Sequence, residues 1–191
     1  MALREGRPAE ANPLSLETLS MLSLPERIRR SARLSGRFVL RSGEVSDTYF
    51  DKYQFEADPQ LLRDIAIALS HLLPEGTEVL AGLEMGGIPI VTMLSQVTGI
   101  PAAFIRKEPK KYGTCRYAEG TSLKGKRFVL VEDVVSSGGA LADSLAKLKA
   151  DGLVPLSALC VIDRQTGGAE ALTELGLHLK ALFTFAEIEQ S

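Results

Sequence analysis

From Asp58 onward the apolar positions fall into stretches that alternate between helix and strand. Asp58-Pro59 supplies an N-cap followed by proline at the first helical position, which predicts a helix over 59–73. Further helices are predicted over 88–98, 138–150 and 168–175, and strands over 78–82, 102–106, 127–132, 156–162 and 178–184. The runs Phe128–Val131 and Leu156–Ile162 are nearly continuous in apolar residues, the pattern of parallel strands covered by helices on both faces. The fold class expected is therefore α/β, a doubly wound, mainly parallel sheet. Upstream, a helical segment over about 14–34 leads to short extended pieces at Phe38–Leu40 and Thr48–Phe50, joined through Ser42-Gly43. These make a small N-terminal hood.

The chain of 191 residues is expected to form one domain: a flexible tail over 1–12, the helix and hood over about 14–57, and the α/β core over about 58–185. Apolar residues at 45% and charged residues at 24% exclude a disordered or fibrous chain. No apolar run approaches the roughly 20 residues that cross a bilayer, and MALREGRPAE lacks the apolar stretch of a secretory signal. A cytoplasmic location without a membrane partner is expected. Cys115 and Cys160 stand far apart, as do His71 and His178, so neither a zinc site nor a disulfide framework is expected. The two histidines are read as partly buried structural residues, and Met85 and Met93 as core.

Charge changes this picture locally. The net charge of −2 divides into +6 over residues 106–127, from Arg106, Lys107, Lys110, Lys111, Arg116, Lys124, Lys126 and Arg127 against two glutamates, and −8 elsewhere. The acidic whole argues against a nucleic-acid partner, and the cationic segment suits the clamping of a small anion. Gly120–Arg127 approaches a P-loop pattern but has Arg127 in place of Ser/Thr and enters a strand instead of leaving one, so it is rejected.

In parallel sheets ligands bind beyond the carboxyl ends of the strands, here the loops 83–87, 107–126, 133–138 and 163–167. One segment is the most specific: Phe128-Val129-Leu130-Val131-Glu132-Asp133-Val134-Val135-Ser136-Ser137-Gly138-Gly139 passes from a buried strand through two carboxylates into a small-residue turn that opens a helix. Ser136, Ser137, Gly138 and Gly139 can present backbone N–H groups to a phosphate at the helix N-terminus. Glu132 and Asp133 suit neighbouring sugar hydroxyls, so the pair and the turn together suit a phosphorylated ribose.

This segment resembles the phosphoribosyl-pyrophosphate (PRPP) motif of type I phosphoribosyltransferases, with Ala140 where that family commonly has Ser or Thr. Arg106-Lys107-Glu108-Pro109-Lys110-Lys111-Tyr112 resembles the catalytic loop of the orotate-specific members, and Leu40-Arg41-Ser42-Gly43 with Ser46, Tyr49 and Phe50 resembles their hood. Asp163-Arg164-Gln165 resembles their Asp-Arg-Gln element, and the resemblance spans roughly residues 35–168. Gly86 stands where many bacterial members carry a lysine, and Tyr112 where many carry a loop histidine.

The resemblance implies transfer of a phosphoribosyl group from PRPP to orotate, with Mg²⁺ held mainly by substrate and water. It implies Lys110, Asp133 and Glu132 as catalytic residues. PRPP would be bound by Arg106, Lys107, Lys110, Lys111, Tyr112, Glu132, Asp133, Val134, Val135, Ser136, Ser137, Gly138, Gly139 and Ala140, and orotate by Arg41, Tyr49, Phe50, Ser136 and Arg164. It also implies a homodimer in which the cationic loop of one subunit covers the site of the other. The alternatives are transfer to another base, or a regulatory protein that senses PRPP.

Overall fold

The computed structural model describes residues 22–39, 43–108 and 117–191. Its first helix, α1 (Leu24–Ala32), begins where Ser23 accepts the Glu26 N–H at 3.4 Å and Pro25 occupies the first turn. Helix ends earlier than the pattern suggested: Arg33 and Leu34 already belong to β1 (Arg33–Val39), which pairs antiparallel with β2 (Val45–Phe50). This two-stranded ribbon is the hood, longer than the two short pieces expected, with the Phe38 and Tyr49 rings 5.5 Å apart. The tail and the first part of the predicted 14–34 helix lie outside the described residues, as do 40–42.

A six-residue helix that the pattern did not predict, α2 (Lys52–Ala57), follows the hood directly. Next comes α3 (Pro59–Ser70), where Asp58 caps as expected by accepting the Gln60 and Leu61 N–H groups at 3.0 Å. The chain continues through β3 (Val79–Leu83), α4 (Gly87–Thr98), β4 (Ala102–Ile105), β5 (Ala118–Gly120), β6 (Phe128–Val135), α5 (Gly139–Ala150), β7 (Ala158–Asp163), α6 (Gly168–Glu174), β8 (Leu179–Thr184) and α7 (Phe185–Gln190). The strands form one sheet in the order β5-β4-β3-β6-β7-β8, parallel except for the short edge strand β5. The doubly wound α/β expectation holds. β5 and α7 are additions, and β6 runs three residues beyond its predicted end because Val134 and Val135 continue pairing with β7.

Successive residues of the buried strands serve opposite faces. Leu80, Val129, Val131 and Val161 pack against Ile28, Phe55, Ile65, Val91 and Ile188 on one side. Ala81, Leu130 and Cys160 pack against Leu141, Leu145, Leu148 and Leu172 on the other. Each large side chain buried in this way contributes about 1.5–3 kcal/mol. Both histidines are exposed instead of partly buried: His71 caps the C-terminus of α3, and His178 lies in the turn before β8. Met93 packs against the core as expected, while Met85 is 63% exposed.

Candidate active site

The order of the strands reverses between β3 and β6, since β4 follows β3 to one side and β6 lies on the other. Loops from these two strands therefore diverge and leave a crevice at their carboxyl ends. The β3–α4 loop contains a cis peptide between Glu84 and Met85 and closes on β6 so tightly that a Cβ at Gly86 would land in the Asp133 carboxylate. With Asp133 seated as it is, position 86 has no room for a side chain, whether lysine or any other.

On the β6 side, Gly138 adopts φ 75°, a left-handed conformation suited to glycine, and ends the turn at the start of α5. No side chain caps α5. Ser136, Ser137, Gly139 and Ala140 are exposed around this end. The first N–H groups of a twelve-residue helix thus face outward beside two hydroxyls, an arrangement that attracts a phosphate.

Glu132 lies in β6 as expected, paired in register with Cys160, and Asp133 also lies inside the strand instead of in the loop after it, where it is completely buried. Asp133 Oδ1 accepts the Val134 N–H at 2.5 Å, Oδ2 lies 2.6 Å from Lys52 Nζ, and Glu132 Oε1 accepts the Asp133 N–H at 3.1 Å. Burial works against the Lys52 ammonium, but the Asp133 carboxylate outweighs it and raises the pKa of Lys52. Burial raises Glu132, and the charge of adjacent Asp133 raises it further. Glu56, on α2, is buried with no hydrogen-bond donor on either oxygen among the described residues, and burial followed by the neighbouring Asp133 carboxyl pushes its pKa up as well.

Lys52 and Glu56 were not singled out in the sequence. The available signal was Asp51, whose side chain accepts the Tyr53 N–H and caps α2, placing the lysine and glutamate one turn apart on a short helix behind the hood.

Of the four cationic residues assigned to PRPP, Arg106 and Lys107 are described. Arg106, half-buried, donates its backbone N–H to Tyr117 O at 2.9 Å, which closes the neck of the cationic segment. Lys107 is exposed, and its N–H is bound by Glu84 Oε1 at 2.5 Å, tying the neck to the β3–α4 loop. Lys147 Nζ reaches Lys107 O at 2.7 Å and lies 5.1 Å from the Tyr117 ring centre, while Tyr117 Oη donates to Ser144 Oγ at 2.8 Å. Lys110, Lys111, Tyr112 and Cys115 lie outside the described residues, as does Arg41 of the hood.

Arg164 follows β7, with its N–H on Val135 O at 2.8 Å and its guanidinium 4.7 Å above the Phe185 ring. Phe50 meets Phe185 edge to face at 5.4 Å and Phe55 at 6.5 Å, so its ring belongs to an aromatic cluster under Arg164. Tyr49 on the neighbouring position is 45% exposed. Among the described residues no three His, Cys, Asp or Glu side chains gather as a metal cage, and no helix is long and apolar enough to cross a membrane.

A phosphate-ready helix end, two carboxylates on the preceding strand and a switch-point crevice define a class: the phosphoribosyl transferase domain, whose family model matches residues 53–173, and the chain belongs to that family. Within it the similarity runs to orotate phosphoribosyltransferases. The orotate phosphoribosyltransferase of Nocardioides sp. is 48% identical over 157 residues, covering 82% of this chain and 88% of that protein. The Mycobacterium tuberculosis H37Rv orotate phosphoribosyltransferase in complex with Fe(III) dicitrate superposes with a TM-score of 0.78 at 30% identity, covering 86% and 96% of the two chains. The same enzyme in complex with PRPP gives 0.75 at 25% identity, covering 87% and 96%.

Proposed function

We propose that the protein transfers the 5-phosphoribosyl group from PRPP to orotate, giving orotidine 5′-monophosphate and pyrophosphate. The observation that carries this is the uncapped N-terminus of α5, one short turn beyond the strand that holds Glu132 and Asp133. The chain's similarity to orotate phosphoribosyltransferases, one of them solved with PRPP, supports the choice of substrates.

In this assignment the backbone from Val134 to Ala140, with the hydroxyls of Ser136 and Ser137, holds the 5′-phosphate. Glu132 and Asp133 accept hydrogen bonds from the ribose diol. As the C1–O bond to pyrophosphate breaks, positive charge develops on the sugar and negative charge on the leaving group, and an orotate ring nitrogen forms the new C1–N bond as its N–H proton passes to the departing pyrophosphate or to water. The Asp133 carboxylate stabilises the first charge, and Arg106, Lys107, Lys110, Lys111 and Tyr112 receive the second. Arg164, braced on Phe185, offers a planar fork to the orotate carboxylate, and Arg41, Tyr49, Phe50 and Ser136 complete the base site. Among the described residues no three acids gather as a metal cage, so Mg²⁺ would be held by PRPP and water and would screen the charge of the departing pyrophosphate. The working unit is a homodimer with shared sites, in the cytoplasm.

The test is spectrophotometric consumption of orotate by the purified protein with PRPP and Mg²⁺. The expected result is turnover that is lost in excess chelator and falls with ionic strength, because the cationic segment draws in a highly charged substrate through screenable fields. Turnover with another base but not with orotate, or PRPP binding without turnover, overturns the assignment.

A further inference from the structure

Lys52 is held on both sides before its side chain reaches the site. Asp51 donates its N–H to Ala32 O at 2.8 Å, anchoring the end of the hood to α1. Its two carboxylate oxygens accept the Tyr53 N–H at 3.1 Å and Gln54 Nε2 at 2.9 Å, fixing the first turn of α2. From this fixed origin Lys52 Nζ reaches Asp133 Oδ2 at 2.6 Å, with the Tyr53 ring 5.3 Å away.

Lys52 is the one cation paired with Asp133 among the described residues. Asp133 is completely buried, Gly86 packs on the same oxygen, and Glu56, Glu132 and Cys160 are the other titratable groups around it. None of these brings positive charge. A buried carboxylate left alone with other acids takes up a proton or turns away, and a protonated Asp133 could neither accept from both sugar hydroxyls nor stabilise a cationic sugar. Oδ1 accepts the Val134 N–H and Oδ2 forms the ion pair with Lys52, so each oxygen has a fixed neighbour and the carboxylate is aimed.

We propose that Lys52 is a positioning residue for the transfer reaction, acting through Asp133: it balances the charge of that carboxylate and holds it aimed, and stays on Oδ2 while the diol binds. The role rests on the reaction proposed above and extends it to an element, α2, that carries none of the motif residues.

The experiment compares the full-length parent, K52M, K52R, D133N and the double variant K52M/D133N in steady-state kinetics with orotate and PRPP. Parent turnover is measured first; its absence overturns the assigned reaction and this role with it. With an active parent, K52M is expected to lower kcat about tenfold or more while the KM for each substrate moves by less than about threefold, and K52R to recover most of the loss. Because Lys52 acts through Asp133, adding K52M to D133N is expected to change kcat by less than about twofold. The double variant removes both charges together, so this comparison stands even where K52M alone does not fold. An unchanged kcat in K52M, a tenfold rise in the KM for PRPP at parental kcat, or a further tenfold loss on adding K52M to D133N each overturns the proposal; the second would make Lys52 a direct phosphate contact.

Discussion

At the scale of single residues, the unusual feature is a set of three carboxyl groups, Glu56, Glu132 and Asp133, gathered around one ammonium. Burial first, and the Asp133 carboxyl second, raise Glu56 above its ordinary value of 4.5, so the folded protein keeps a proton there that the unfolded chain gives up. Protons bound more tightly by the folded state stabilise it fully below the unfolded value, and that stabilisation drains away as pH rises toward the folded one. The protein is therefore expected to lose stability between about pH 4.5 and 9, with each raised acid contributing a slope of up to about 1.4 kcal/mol per pH unit. Glu132 is raised by the same causes and adds to the slope. Glu56→Gln keeps the shape and cannot ionise, so urea unfolding midpoints of this variant should fall less steeply with pH, leaving it the more stable protein at pH 8. A parallel pair of pH curves would show that Glu56 is already ionised in the fold.

At the scale of elements, what the pattern of residues revealed and what it concealed follow from length and periodicity. The long buried strands and the Asp58-Pro59 helix start announce themselves because each repeats its signal over many residues. The α5 turn was legible because phosphate binding there uses the backbone, and small residues are needed to let it approach. α2 was concealed: it has six residues, too few for an amphipathic pattern, and its chemistry depends on a contact 81 positions away in sequence, between Lys52 and Asp133. α7 was concealed for the same reason, and with it the support for Arg164. The guanidinium sits over Phe185, whose ring is held edge-on by Phe50. Arg164→Lys replaces a stacked planar fork by a mobile point charge, so the KM for orotate is expected to rise by about tenfold while the KM for PRPP changes little. Equal changes in both would place Arg164 outside the base site.

For the whole molecule the question is what completes the crevice. Beside it the described surface holds an apolar groove of about 510 Å³ lined by Met85, Ile88, Pro89 and Phe104 with Arg106, and Met85 stands 63% exposed in it. The groove adjoins the neck where Arg106 and Tyr117 meet, so a second copy seated there would lie next to the cationic segment. In the shared-site arrangement Lys110 and Asp133 of one working site come from different chains, and symmetry then fixes the outcome of a mixing experiment. Lys110→Ala and Asp133→Ala homodimers are each expected to be nearly inactive. In a mixed dimer one site collects both lesions and the other has neither. Random reassociation of equal amounts makes half the dimers mixed, so about a quarter of all sites should regain parental activity by the two-fold symmetry of the assembly. Orotate consumption measured after verified subunit exchange gives the answer directly. If each site instead draws both residues from its own chain, every site in the mixed dimer carries one lesion, and the mixture stays as inactive as its components.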